Sequence, residues 1–349
     1  RPATLGWPDQ GHRHPTGLTI PMKTSNPARR TTLAALALSA ALGAVLGTAQ
    51  AQDAYPTKPV KFINNFPPGG PSDILARSVA ATLQETLKQP FVVENKAGAA
   101  GNIGADQVAK SPADGYTVLF GIDTTFTINP HLYPAMPFKP TDLKPVVIMA
   151  SSGLLLGVNP ATGIKTFGDL LSQGRTKTLN FSSAGNGSPG HLAAAMLGNS
   201  TPVKTTHIPY RGNTPAVTAV LSGEVDGGIL ATPGMLPHVK SGKITALAVT
   251  SARRSRLAPQ LPTVAELGLK SLEQEVLYLV MVPAATPDAV VQALAKGITE
   301  ALQRPDAKER LVKLDLFYEG LTGAAAAQRL ADLSARYGQV VRATGITSN

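Results

Sequence analysis

The sequence reads as an α/β chain, with parallel sheets carrying helices on both faces. Short β-like runs alternate with amphipathic helical stretches along residues 60–341. The turns between them are short and rich in the 33 Gly and 29 Pro of the 349 residues. A hydrophobic content of 43% is enough for an ordinary globular core and excludes a disordered chain. Strands that alternate strictly with helices are fed back through each helix to a parallel neighbour.

The elements follow in order. Val60-Lys-Phe-Ile-Asn-Asn-Phe66 is β-like and is broken by Pro67-Pro-Gly-Gly70. Pro71 suits a first helical position, Ser72 and Asp73 fall in the first turn, and Ile74, Leu75, Val79, Leu83 and Leu87 recur at helical spacing. Residues 91–94 and 116–121 read as strands around a helix at 99–110. The pattern repeats with strands at 178–182, 207–210, 225–230 and 244–250 and helices at 188–197 and 214–221. Helices at 287–302, 305–314 and 324–341 close the chain.

Composition excludes several kinds of chemistry. The chain has no Cys, so a disulfide scaffold, a Cys-ligated metal or cluster and a Cys nucleophile are out. No phosphate-binding G-x-x-x-x-G-K-[ST] occurs. His131, His191, His207 and His238 are scattered without metal-ligand spacing. No metal or cofactor is therefore expected. One apolar run alone approaches membrane-spanning length, which excludes a polytopic membrane protein.

That run belongs to a leader pattern. Lys23, Arg29 and Arg30 precede the apolar stretch Leu33 to Leu46, and Ala49-Gln-Ala51 is a small-x-small cleavage site. The rival reading is a single membrane anchor, for which the run is short. Met22 reads as the start, residues 1–21 as translated upstream sequence, and 22–51 as a signal peptide that delivers the chain to the periplasm. Loss of 1–51 removes five cations (Arg1, Arg13, Lys23, Arg29, Arg30) and Asp9, so the formal charge falls from +10 to +6. Spread over the mature chain, that charge gives no case for nucleic acid. Arg253, Arg254 and Arg256 form the densest basic cluster and read as a solvated turn. Residues 52–349 suit two lobes of about 150 residues each.

Two Gly-rich turns occupy equivalent settings. Pro67-Pro-Gly-Gly-Pro-Ser-Asp73 and Ser182-Ser-Ala-Gly-Asn-Gly-Ser-Pro-Gly190 each follow a strand and open a helix. In open α/β sheets this is the ligand edge. Helix N-termini offer unpaired N–H donors and partial positive charge, so two such turns facing across a cleft suit a small carboxylate. The second turn contains G-x-G-x-x-G (Gly185, Gly187, Gly190), but the next strand lacks the acidic residue that a dinucleotide ribose needs. It also approaches a nucleophile elbow, with Asn186 in place of the first Gly. Ser188 with His191 as base then gives an exported serine hydrolase, a reading that lacks a third, orienting group. Asp73 and Arg77 read as an intrahelical pair, and Arg211 reads equally well as a carboxylate clamp or a surface residue.

The motif order resembles the Bug (Bordetella uptake gene) family, periplasmic solute-binding receptors of tripartite tricarboxylate transporters. The resemblance rests on Tyr55-Pro-Thr-Lys-Pro59, Pro68-Gly-Gly-Pro-Ser-Asp73, Val93-Glu-Asn-Lys-Ala-Gly98, Gly101-Asn-Ile-Gly104 and Asp114-Gly-Tyr-Thr117. It continues through Ile128-Asn-Pro130, Ser183-Ala-Gly-Asn-Gly-Ser-Pro-Gly-His191, Pro209-Tyr-Arg-Gly212, Ala246-Leu-Ala-Val-Thr250 and Leu261-Pro-Thr-Val-Ala-Glu266. It implies a two-lobed, type II-like periplasmic-binding-protein fold with two parallel-rich sheets, flanking helices and a ligand cleft between the lobes. Lobe one is expected at 52–152 plus 278–349 and lobe two at 153–277, with crossings near 150–153 and 276–279. The positions carried over as ligand-binding are Phe66, Gly69 and Gly70 in the first turn, Thr124 and Thr125 after the third strand, and Ser183, Gly185, Ser188 and His191 in lobe two.

The resemblance also implies a monomer that binds a small carboxylate, catalyses nothing and delivers its ligand to membrane transporter subunits. A sensor presenting the ligand to a signalling partner needs the same cleft. Three departures bear on the ligand. Leu277 and Leu279 stand where the family often has Trp and Gly, Ile229-Leu-Ala231 where it often has Phe-Asp-Asn, and Asp123-Thr-Thr-Phe126 where it often carries Ser and His. They predict a less polar far end of the site, with Phe126 among its determinants.

Overall fold

The computed structural model describes residues 55–348. The leader, start site and cleavage site read from residues 1–51 lie outside the described residues.

Three parallel strands form the first half of the sheet. β1 (Val60–Asn64) pairs with β2 (Phe91–Asn95) on one side and β3 (Thr117–Ile122) on the other. Helix α1 (Pro71–Leu87) connects β1 to β2, and α2 (Asn102–Ala109) connects β2 to β3. Two single-turn helices follow, α3 (Thr124–Thr127) and α4 (Asn129–Leu132). A second parallel trio stands at the far end, where β5 (Leu179–Ser183) lies between β6 (Thr205–Pro209) and β7 (Gly227–Ala231). Its helices are α5 (Phe167–Thr176), α6 (Pro189–Ser200), α7 (Asn213–Ser222) and α8 (Thr232–Lys240).

The two halves are joined by strands that the alternation did not reveal. β4 (Leu143–Val158) runs for 16 residues and is buried without interruption from Val146 onward. It pairs antiparallel with β9 (Glu275–Pro283) as far as Gly153, then with β7 from Leu154 and with β8 (Thr245–Val249) from Leu155. The main path is β2-β1-β3-β9-β4-β7-β5-β6, with β8 and β10 (Phe317–Thr322) also on β4. The sheet is therefore mixed, parallel within each trio and antiparallel through the centre. β4 and β9 escape a period-two search because both of their faces are covered, so apolar residues follow one another without alternation. At the changeover, a Cβ on Gly153 would lie 3.0 Å from Ser251 N, so the backbone of Ser251 sits directly on the strand.

Helices α9 (Asp288–Gln303), α10 (Pro305–Lys313) and α11 (Gly323–Thr344) complete the chain. Tyr337 of α11 is fully buried and donates to Glu275 O at 3.2 Å, while Arg329 binds the Glu275 carboxylate at 2.8 Å. The arginine cluster is exposed but not simply solvated. Arg253 and Arg256 lie over the ring of Phe317 at 4.3 and 4.6 Å, and Arg254 Nε reaches both Glu266 oxygens at 3.0 and 2.9 Å. Arg253 and Arg256 thus tie the loop after β8 to β10, and Arg254 ties that loop to itself through Glu266 and Pro259 O.

Candidate functional site

Four helices begin at one cavity. α1 contributes Gly70 to Ser72, α6 contributes Ser188 to Gly190, α7 contributes Asn213 and Thr214, and α8 starts after Ala231. Local sequence explains each start: a small or capping residue at the N-cap with Pro in the first turn of α1, α6 and α8. Helix α6 packs unusually close to β7, because a Cβ on Gly190 would lie 2.2 Å from Ile229 O. The walls between the helix ends are hydrocarbon, from Ile122, Leu154, Ile229, Leu230 and Val276. No Asp, Glu, Lys, Arg or His is among the described residues that line the cavity. Its electrostatics are set by the helix ends, each worth about half a positive charge.

The first turn is held by Asp73, whose side chain is 6% exposed. Its carboxylate accepts from Gly69 N at 3.0 Å, Arg77 Nε at 3.1 Å and Asn95 Nδ2 at 2.9 Å. Burial acts to raise this carboxyl, but the hydrogen bonds and the Arg77 charge outweigh it and hold it below the usual carboxylate range. The second turn folds around its own side chains. Ser188 Oγ caps α6 by accepting from His191 N at 3.3 Å. Gly187 N donates to His191 Nδ1 at 3.2 Å, and Ser183 Oγ lies 2.5 Å from His207 Nε2.

The residues expected at the site separate into two groups. Phe66, Gly70 and Ser188 line the cavity, and Gly185 lines an adjoining, more open space that also meets Arg211 and shares Phe66. Of the others, Thr124, Thr125, Ser183 and His191 stand buried behind the walls, while Gly69 is exposed on the outside of the first turn. The Gly69 amide is occupied by Asp73. Ser183 and His191 brace the second turn. Thr124 and Thr125 are fully buried, and Thr125 Oγ1 accepts from Asn65 Nδ2 at 3.1 Å while donating to Ala100 O at 3.2 Å.

Of the departures, Ile229 to Ala231 do form cavity wall. Leu277 and Leu279 are buried on β9, where the alternate residues Val276 and Tyr278 face the cavity. Phe126 is not a wall residue; it packs edge-on against Phe138 at 6.3 Å. Asp123 acts at the same strand, accepting from Leu277 N at 2.8 Å and Thr127 Oγ1 at 2.9 Å. Burial pushes its carboxyl up to about 6 against those bonds.

Sequence reasoning missed Ser72, Asn213, Thr214, Ile122 and Tyr278 as lining residues. Gly212-Asn-Thr-Pro215 and Ala231-Thr-Pro-Gly234 repeat the small–polar–Pro pattern of the two recognised turns, which was the available signal. Tyr278 had none, because β9 itself was unread.

Residues 75–346 match the family model described as "Tripartite tricarboxylate transporter family receptor". The chain is 37% identical to protein BugT of Bordetella pertussis over 302 residues, covering 84% of this chain and 91% of that one. The solved structure of Rhodopseudomonas palustris Rpa4515 with adipate is 32% identical with a TM-score of 0.81, covering 84% of this chain and 99% of that one. That of MatC from Rhodopseudomonas palustris with bound malate is 27% identical with a TM-score of 0.76, covering 82% and 100%. The family's members are periplasmic receptors, and no helix among the described residues is long and apolar enough to cross a membrane. The motifs, the mixed sheet and these matches agree: the chain belongs to the tripartite tricarboxylate transporter receptor family.

Proposed function

We propose that this protein is an exported, monomeric receptor that encloses one small carboxylate in the cavity and hands it to the membrane subunits of a tripartite transporter. The observation that carries this is the meeting of four helix N-termini at a cavity free of charged side chains. Unpaired first-turn N–H groups and summed dipoles favour an anion there without any counter-charge. The adipate and malate held by the two relatives support the same ligand class, and the hydrocarbon walls suit a solute with an aliphatic body.

Closure requires two lobes, taken as 52–152 plus 278–349 and 153–277. The passage of β4 from β9 to β7 at Gly153–Leu154 supports a pivot there. Phe66, Gly70, Gly185 and Ser188 contact the solute in this reading, while Gly69, Thr124, Thr125, Ser183 and His191 shape the loops that do.

Melting of residues 52–349 against amino acids, C4-dicarboxylates, adipate, citrate and aromatic acids tests the proposal. Ligand at about a hundred times its Kd stabilises by about 2.7 kcal/mol, a rise of several degrees at this size. A shift with one acid class names the solute; folded, ligand-free protein that shifts with none overturns the reading.

A further inference from the structure

One side chain on the cavity wall has a polarity opposite to that expected of a carboxylate contact. Its origin lies at Arg77, which can only donate. Arg77 Nη2 donates to Asn95 Oδ1 at 3.0 Å. The Asn95 amide nitrogen is thereby turned to two acceptors, Asp73 Oδ1 at 2.9 Å and Phe66 O at 3.1 Å. The Phe66 carbonyl also takes Asn64 Nδ2 at 3.0 Å. Reversing either amide would set oxygen against oxygen, so both orientations are fixed. Asn64 Oδ1 consequently faces Ser72, whose hydroxyl donates to it. Asn64 is fully buried and Ser72 is 4% exposed, so water does not scramble the arrangement.

A serine hydroxyl has one proton, and here it is committed to Asn64. What Ser72 offers the cavity is lone pairs, which repel a carboxylate oxygen. The opposite wall has the reverse polarity. Ser188 Oγ accepts from a backbone N–H and keeps its proton free. Asn213 Oδ1 accepts from Ala231 N at 3.0 Å, and its amide nitrogen, seated against Gly234 at the edge of the cavity, donates to no group among the described residues. The cavity thus has donors on the α6 and α7 side and an acceptor at the start of α1.

We infer that the solute is an aliphatic hydroxycarboxylate, with its carboxylate toward Ser188 and Asn213 and its hydroxyl on Ser72, which makes Ser72 a specificity-determining residue. A hydroxyl fits better than an ammonium. It donates to Ser72 Oγ and accepts from a first-turn N–H of α1, whereas an ammonium brings three donors to a single acceptor and leaves the N–H unpaired. The inference rests on the carboxylate reading of the cavity.

The test is calorimetric titration of residues 52–349 with matched pairs: lactate and propionate, 3-hydroxybutyrate and butyrate, malate and succinate. The hydroxylated member of the pair that fits should bind roughly tenfold tighter or more, since its partner leaves a buried acceptor unpaired. Ser72→Ala should bring that ratio to about one, and Ser72→Thr, which keeps the hydroxyl, should retain it. Equal binding within every pair overturns the inference and leaves the carboxylate reading standing, as does a preference that survives Ser72→Ala. Absence of binding by every acid overturns both. Should Ser72→Ala fail to fold, the wild-type ratios decide alone.

Discussion

The imidazoles of His191 and His207 stack face to face, with centroids 4.0 Å apart and planes 13° from parallel, directly behind the second ligand-edge turn. Both rings hold parts of that turn, His191 through Gly187 N and His207 through Ser183 Oγ. Burial pushes both pKa values down, and in His207 the neighbouring ring adds to it, bringing that group to about 4.

A depressed histidine pKa means that the unfolded chain binds the proton more readily than the folded one. The stability owed to neutral His207 is whole above about pH 6.5 and is lost as pH falls toward 4. Asp123 works in the opposite sense. Its folded pKa near 6 lies above the ordinary carboxylate value of 3.8, so the folded chain gains relative stability as pH falls between these values. Tm measured across this range should therefore fall less steeply on acidification in His207→Gln than in the wild type. Parallel profiles for the two chains would show that His207 does not titrate in this way.

Asp73 ties three separate parts of the first turn together, the Gly69 amide, Asn95 and Arg77. Asp73→Ala leaves the first two without their acceptor, and since Gly69 is exposed and Asn95 half-buried the cost is about 1–2 kcal/mol. Urea denaturation should show that loss. Carboxylate affinity should drop with it, because the Asn95–Phe66–Asn64 arrangement that orients Ser72 loses its anchor. A variant as stable as the wild type would reduce the pair with Arg77 to a surface contact.

Both ligand-edge turns were legible from residues alone, because Gly and Pro at a strand-to-helix junction report a backbone requirement that any neighbours must satisfy. Residues behind the turns were not separable from those in front. Gly69, Ser183 and Thr125 have the small or hydroxylated side chains of a carboxylate site, yet each is used up within the protein. Which way a short polar side chain faces depends on partners distant in sequence, as Thr125 depends on Asn65 and Ala100. The central strands were missed for a different reason. A strand covered on both faces, such as Val146 to Val158, carries no alternation to detect.

Phe126 illustrates the same limit and yields a prediction. It is 6% exposed and packs on Phe138 in the first half of the molecule. Phe126→His places a polar ring in that core and should cost about 1–3 kcal/mol without reordering the affinities of an acid panel. Ile229, Leu230 and Val276 remain as the apolar wall in the variant. A changed order of preference would return Phe126 to the list of ligand determinants.

Ser188 separates receptor from hydrolase. As a nucleophile it needs a base at its hydroxyl, but the bond that joins it to His191 runs to the backbone N–H. The His191 ring meanwhile accepts from Gly187 N through Nδ1. The hydroxyl's structural task is to cap α6, and Ser188→Ala should lower stability by about 1 kcal/mol. The same substitution removes a free donor from the cavity, so carboxylate affinity should fall as well. An activated ester such as p-nitrophenyl acetate should be hydrolysed no faster by the wild type than by Ser188→Ala. Saturable turnover that disappears in the variant would instead require the serine to leave its cap and find a base, and would overturn the receptor reading at its centre.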